Sequence, residues 1–525
     1  MDPNAELESS TEAMPLHEPR KNRSRLRVTA VLVSLFSTLF ISALIVTIVA
    51  TTIPTITADL HSAAGYSWIG GAFTLGNTAF LAVWAKLSDI WGRKPILLTL
   101  VALYFCSFII CATSKSIGML IAGRALQGMT CGGITPLVMI TISDIFSMRQ
   151  RALYLGFLQA ILAVAGGVGP VLGGALTQYV SWRWIFWINL PVAGTSFILL
   201  LLFLDVHNPR TPFMEGIKAV DWFGSIAIIG ALSMPLLGLN FGGELFPWNS
   251  PRVICLIVSG CGMLGIFVFS QARLSRYPLM PLKLFQRKSN VACVVIGFTQ
   301  LFVSHTLTSS IFQSIWEASP TRSGVLILPM TITESVTGII CGLIIHRTGR
   351  YIEIIRAGTV LFALGIGLHI HFSETSSLAE IASIETIAGI SAGMLFDPPL
   401  LALQAMATVL GGVLFQNGMR MRTQALKNAG LPETVVEQLS GDAAAANVDV
   451  IKTLSDLTQK LVVKRAFASS LRYIWILATC LAVCGAFASL LISKQVLNTE
   501  HVETETGSKK NEPVTAELPR LQATN

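Results

Sequence analysis

Glu334 has the type and setting of a proton carrier. It stands in MTITESVTG, as the one charge between Val325 and Ile345. Burial among apolar neighbours favours the neutral form of a carboxyl. A group poised between neutral and charged forms is what proton transfer needs. A carboxyl merely hydrogen-bonded to the hydroxyls of Thr331 and Thr333 is the structural alternative. Asp397, beside Pro398 and Pro399, is a second acid, placed nearer an interface. Arg124 lies inside another apolar run, LIAGRALQGMT, with Gln127 one turn on, where the two share a helix face. A cation in such a run must face a cavity or a partner, which marks a pathway residue; a purely structural or snorkelling arginine is the alternative.

Two further groups of residues are mechanical. In LSDIWGRK, Gly92 permits a tight turn between helices. Asp89, Arg93 and Lys94 can then pair with charges at neighbouring helix ends and latch that face; the plainer reading is a topogenic basic loop. In GGVGPVLGG, Gly169, Gly173 and Gly174 allow backbone-to-backbone packing, and Pro170 removes a helical hydrogen bond and bends the span. The histidines His305 and His369 are single residues on apolar helices and read as structural. Trp182, Trp184 and Trp187 read as an interfacial aromatic belt. There is no Walker loop and no cluster with metal-ligand spacing, so neither cofactor nor metal is expected, and ATP is not the energy source.

The elements that must position these groups are membrane helices. The 525 residues are 52% hydrophobic and only 13% charged, with mean hydropathy +0.65. Soluble domains carry about 25% charged residues. That excludes a soluble enzyme, a nucleic-acid module and a disordered chain. The net charge of +8 resides mostly in short loops between apolar stretches. All nine cysteines fall inside apolar runs and read as small reduced core residues. With about 20 apolar residues per crossing, spans fall near 29–52, 66–87, 96–113, 117–141, 153–177, 184–204, 220–240, 252–271, 291–313, 323–346 and 355–372. A run over 385–416 and a last span at 473–493 follow. Residues 1–28 form a cytoplasmic tail without a cleavable signal, 417–470 a polar loop and 494–525 a polar tail. Up to Arg356, segments on the N-terminal side of the membrane hold 20 Lys and Arg against four opposite, which places the N-terminus in the cytoplasm.

The loops after the second and tenth spans repeat at an offset of 257: Asp89 faces His346, Gly92 faces Gly349 and Arg93 faces Arg350. Duplicated halves are a property of secondary transporters, which rock one helical bundle against the other.

The sequence resembles the fungal fourteen-span drug:proton antiporters of the major facilitator superfamily, over about residues 29–495. The resemblance rests on SWRWIFWINLP (181–191), RALQG (124–128), GPVLGG (169–174), LSDIWGRK (87–94), VDWFGS (220–225), FPWNSPRVI (246–254), ASPTRSGVLILP (318–329) and HRTGRY (346–351). It implies an all-α integral membrane protein of 13–14 helices: a bundle of six over 29–204, two linking spans within 205–290, and a second bundle within 291–493. It implies a cytoplasmic gate at Asp89, Gly92, Arg93, Lys94, Gly349 and Arg350, and an antiporter motif at Gly169, Pro170, Gly173 and Gly174. The expected function is proton-coupled efflux of a small amphipathic compound across a fungal membrane, with small molecule, protons and lipid bilayer as partners and no obligate protein partner or nucleic acid. The plasma membrane is favoured over the vacuolar one. A vacuolar transporter of basic amino acids is one alternative, and a non-transporting sensor or inactive paralogue another. The chain departs from the family in four places. Ile45 stands where the first span usually carries an aspartate, Ala85 replaces a glycine, 304–313 is short, and Pro398 runs straight to Gly418. The run 385–416, about 48 Å as helix, is too long for one crossing and too short for two.

Overall fold

The computed structural model describes residues 25–493 apart from 63–64, 207–210, 243–245, 276–277, 281, 305–319, 374, 396–400, 441–449 and 455; 301–304, 320–324 and 401–414 are described as helix backbone only. Fourteen helices of fifteen residues or more carry the described architecture. They are α1 (Arg25–Ala50), α2 (Gly65–Trp91), α3 (Arg93–Ala112), α4 (Ile117–Ile145), α5 (Met148–Tyr179), α6 (Asn189–Phe203), α7 (Trp222–Phe241), α8 (Pro251–Phe269), α9 (Lys288–Ser304), α10 (Pro320–Thr348), α11 (Ile352–Leu368), α12 (Leu378–Met394), α13 (Leu401–Asn428) and α14 (Leu457–Ser489). Ten described helices are long and apolar enough to cross a membrane on composition alone. The other four, α2, α9, α12 and α13, pack among them.

The run 385–416 is resolved in favour of two helices. Its first part ends α12 at Met394, and its second opens α13, which continues to Asn428. The extra length comes from residues whose polarity reads as loop. Phe415, Gly418, Met419 and Leu426 are buried on one face, while Arg420, Met421 and Lys427 point outward. Gly418 lies against Ser470 of α14, and Phe415 meets Phe467 at 5.4 Å. A one-sided helix of this kind has low mean hydropathy even though its inner face is apolar. Likewise α14 begins at Leu457, well before the apolar stretch at 473. The short stretch 304–313 and Asp397 lie outside the described residues, Ser304 excepted.

One apolar core runs from Val31 of α1 to Leu204 and unites α1–α6; a second runs from Ala292 to Ile492 in the C-terminal half. The linking helices α7 and α8 pack on each other, with Gly260 against the Pro235 ring, and α7 leans on α2 and α13. The halves meet along two seams, α5 with α10 and α2 with α13. The repeat is visible in the backbone. Gly92 (φ 94°) and Gly349 (φ 69°) stand at equivalent helix joints in the left-handed region that favours glycine.

The thiols correct the sequence reading. Cys111, Cys131 and Cys341 are buried, but the other six lie on exposed helix surface, the side that faces lipid in a membrane.

Candidate functional site

At the joint between α2 and α3, the positive φ of Gly92 turns the chain and points Arg93 back under α2. The Arg93 guanidinium is paired with Asp89, donates from Nη1 to Ser88 Oγ at 2.7 Å, and donates from Nε to Asp144 Oδ2 at 3.0 Å. Its side chain is 7% exposed. Three helix ends are thereby tied within the N-terminal half. Lys94 donates to the carbonyl of Leu201 at 2.8 Å. The repeat-related Arg350 is exposed, and its backbone N–H donates to Thr348 Oγ1. Gly349 instead lies under the Arg149 guanidinium of α5, across the seam.

That seam is built from small residues. A Cβ on Gly156 of α5 would stand 2.7 Å from the Gly338 carbonyl oxygen, and one on Gly342 of α10 2.6 Å from that of Ala152. Further along α5, the glycine-proline motif docks on α1. A Cβ on Gly169 would clash with Thr47 Oγ1, and one on Gly173 with Thr51 Oγ1 and the Ile48 carbonyl. Gly174, in contrast, has open space around it. Only two glycines of the motif are therefore required by packing. Ile45, where an acid would stand by resemblance, is fully buried in the N-terminal core.

Arg124 and Gln127 do share a face. The guanidinium donates from Nη1 to Gln127 Oε1 at 2.8 Å and from Nε to the Ile69 carbonyl at 3.2 Å, and lies 4.3 Å over the Phe73 ring. Gly128 and Gly132 admit α2 so closely that a Cβ on either would clash with the Phe73 or Asn77 carbonyl. Arg124 is 2% exposed and, among the described residues, has no carboxylate within ion-pair distance. Gln127 Nε2 is buried without a hydrogen-bond partner.

At the opposite end of the N-terminal helices from Arg93, the tryptophans divide. Trp184 and Trp187 are exposed, but Trp182 is 3% exposed and donates from Nε1 to Asp59 Oδ2 at 2.9 Å. Arg183 pairs with the same oxygen at 3.3 Å, donates to the Ser114 carbonyl at 3.1 Å and stacks over Trp182. Trp182 is thus part of a clamp and not of a belt. The Trp182 hydrogen bond, helped by Arg183, holds the Asp59 carboxyl below its ordinary range.

Glu334 is half-buried on α10. Its helix neighbours spend their hydroxyls elsewhere: Thr331 Oγ1 donates to Ile327 O and Thr333 Oγ1 to Pro329 O. The sequence reading passed over a more deeply placed acid. Glu385 of α12 is 0% exposed, the one carboxylate in the buried class among the described residues. His369, just beyond α11, is 2% exposed, and its Nε2 lies 3.4 Å from Glu385 Oε1. The signal available was Glu385 itself in IASIETIAGISAG, one acid among small and apolar residues one helix after an apolar histidine. Taking the apolar run as beginning at 385 hid it.

Residues 35–419 match the family model of the Major Facilitator Superfamily. The chain is 38% identical over 506 residues to a protein named efflux pump dotC from Dothistroma septosporum, covering 91% of this chain and 87% of that protein. It is 31% identical to efflux pump FUS6 from Gibberella fujikuroi, with 96% of each covered. Among solved structures, the proton:xylose symporter XylE shares the fold with TM-score 0.51 at 12% identity, over 88% of this chain and 94% of that one.

Proposed function

This chain belongs to the Major Facilitator Superfamily, a multi-pass membrane transporter of small molecules and not an enzyme, and on that premise we propose that it exports a small amphipathic compound from a fungal cell, driven by inward proton flow. The observation that carries the proposal is likeness along nearly the whole chain to proteins named efflux pumps. The geometry supports the alternating-access part. The α5–α10 seam brings backbones together at Gly156 and Gly342, which lie against the Gly338 and Ala152 carbonyls. Such a seam can tilt at small cost in packing.

In the proposed cycle, Asp89, Arg93, Lys94 and Asp144 hold the cytoplasmic ends of α2, α3 and α4 as one body, while Gly349 and Arg350 turn the corresponding joint of the other half. Gly169, Pro170 and Gly173 keep α5 bent against α1 as that body tilts. Arg124 with Gln127 lines the pathway in the N-terminal half, and Glu334 and Asp397 line it in the C-terminal half. Export requires that substrate affinity differ between the two faces, with protonation biasing which face is open. The plasma membrane is the proposed location.

Ile45 favours a second reading. A buried apolar side chain where an antiporter would hold an acid is what a non-transporting relative would also show. One experiment separates the two: efflux of rhodamine 6G from cells lacking their own pumps, with and without a proton uncoupler. Uncoupler-sensitive efflux supports the antiporter. Efflux equal to that of cells without the protein supports the non-transporting relative.

A further inference from the structure

We propose that the proton-binding site is the buried His369–Glu385 pair in the C-terminal half, with Glu334 left to the substrate pathway. The proposal rests on the efflux reading above and names its coupling site. Its starting point is one hydrogen bond. His369 Nδ1 lies 3.0 Å from the Gly365 carbonyl oxygen. A carbonyl only accepts, so Nδ1 carries the hydrogen. Nε2 is then the variable nitrogen, and it faces Glu385 Oε1 at 3.4 Å. Among the described residues, neither Glu385 oxygen accepts a hydrogen bond. Without a proton between them, the pair would set an imidazole lone pair against a buried carboxylate with no donor, a strongly unfavourable arrangement. With one proton it is neutral overall, as imidazole and carboxylic acid, the forms that a low-dielectric interior favours. The site therefore takes one proton from solution and must release that same proton to reset.

Among the described residues, the surroundings supply no fixed charge in its place. The imidazole stacks on Trp475 of α14 at 4.4 Å and meets Phe372 edge-on at 4.9 Å, both rings nearly buried. From α10 come Leu326 and Ile327, packed with Phe372, Ile381 and Ile384. Among the described residues, the titratable groups nearest along the chain are His371, exposed just past His369, and Glu380 in the first turn of α12. On α14 the nearest cation, Arg472, is exposed. On α10, Glu334 lies at the level of Gly393, whose Cβ would touch its carbonyl oxygen. That is eight residues along α12 from Glu385, about 12 Å. In the orientation given by the loop charges, α11 runs outward from Gly349, so the pair sits toward the outer face. In the proposed cycle the pair would take its proton from that face.

The test uses full-length protein reconstituted in vesicles, with rhodamine 6G as transport probe and the infrared carboxylic-acid band as proton probe. The proposal expects a protonated-carboxyl band on acidification that is absent in Glu385→Gln and present in Glu334→Gln. It expects Glu385→Gln to lose at least tenfold of its dye accumulation under an imposed pH gradient while keeping downhill dye exchange within twofold. Glu385→Asp, which stays titratable, restores accumulation at least in part, and His369→Gln repeats the Glu385→Gln loss if the latter does not fold. Accumulation by Glu385→Gln equal to the parent, or a band that survives in it, overturns the proposal and leaves proton-driven efflux intact. A parent that ignores the gradient overturns both.

Discussion

Asp144 Oδ2 at the end of α4 accepts from Arg93 Nε at the start of α3, 3.0 Å apart and with both side chains largely shielded from solvent. Arg93 also holds Asp89 and Ser88, so the guanidinium joins α2, α3 and α4 through one planar group.

Asp144→Asn should loosen that joint. A hydrogen bond to a charged group contributes about 1.5–3 kcal/mol, and Asn keeps the shape without the charge. Transport should fall several-fold at unchanged membrane content. Ser88, fully buried in the intact joint, offers the direct readout. A cysteine there should resist an impermeant thiol reagent applied to either face of the parent, and should react from the cytoplasmic side in the Asp144→Asn background. Equal protection in both would show that Arg93 holds the joint without Asp144.

The motif glycines should separate by what surrounds them. Gly173→Ala pushes a methyl onto Thr51 Oγ1 and the Ile48 carbonyl, whereas Gly174→Ala enters open space. Overpacking of this kind costs about 1–3 kcal/mol. Gly173→Ala should lower thermal stability and transport together; Gly174→Ala should leave both within twofold of the parent. An equal effect of the two would mean that the motif acts through α5 alone and not through its fit to α1.

The joints at Gly92 and Gly349 were legible in the sequence because a backbone requirement leaves a glycine at a fixed offset, and the structure gives both a positive φ. The pairing of Arg124 with Gln127 was legible because three-residue spacing puts them on one face. What failed were features set by neighbours from distant sequence. Mean hydropathy cannot distinguish α13, apolar on one face, from a polar loop. Trp182 looks like its neighbours Trp184 and Trp187 until Asp59 is placed beside it, 123 residues away. Glu385 gained its meaning from His369, sixteen residues earlier on another element.

The Asp59 clamp should give stability a narrow acid limb. Its carboxyl titrates below the ordinary value of 3.8 because Trp182 donates to it and Arg183 sits beside it. A carboxyl depressed in the folded state stabilises above its unfolded value, and that contribution disappears as pH falls through the folded value. Asp59→Asn should therefore cost less than about 1 kcal/mol at pH 7, as half-exposed pairs do, and progressively less as pH falls below 3.8. Thermal melts of parent and variant across that range should converge only below about pH 4. Convergence already at pH 6 would assign the acid limb to another group.

Arg124 gives the sharpest separation of stability from function. Its guanidinium is buried, and its partners are all neutral: a side-chain amide, a backbone carbonyl and an aromatic face. Burying a cation without a counter-charge is unfavourable, and replacing a buried charged group by an apolar one of similar length is often neutral or stabilising. A structural role nevertheless predicts that Arg124→Met is destabilising, because its hydrogen bonds to Gln127 and Ile69 would be the reason for the residue. A pathway role predicts the reverse. The melting temperature of Arg124→Met should equal or exceed that of the parent, while transport of rhodamine 6G falls more than tenfold. Arg124→Lys should behave like Arg124→Met in transport, since an ammonium cannot reproduce the fork that reaches Ile69 and Gln127 together. A variant that melts several degrees lower yet transports normally when folded would return Arg124 to a packing role.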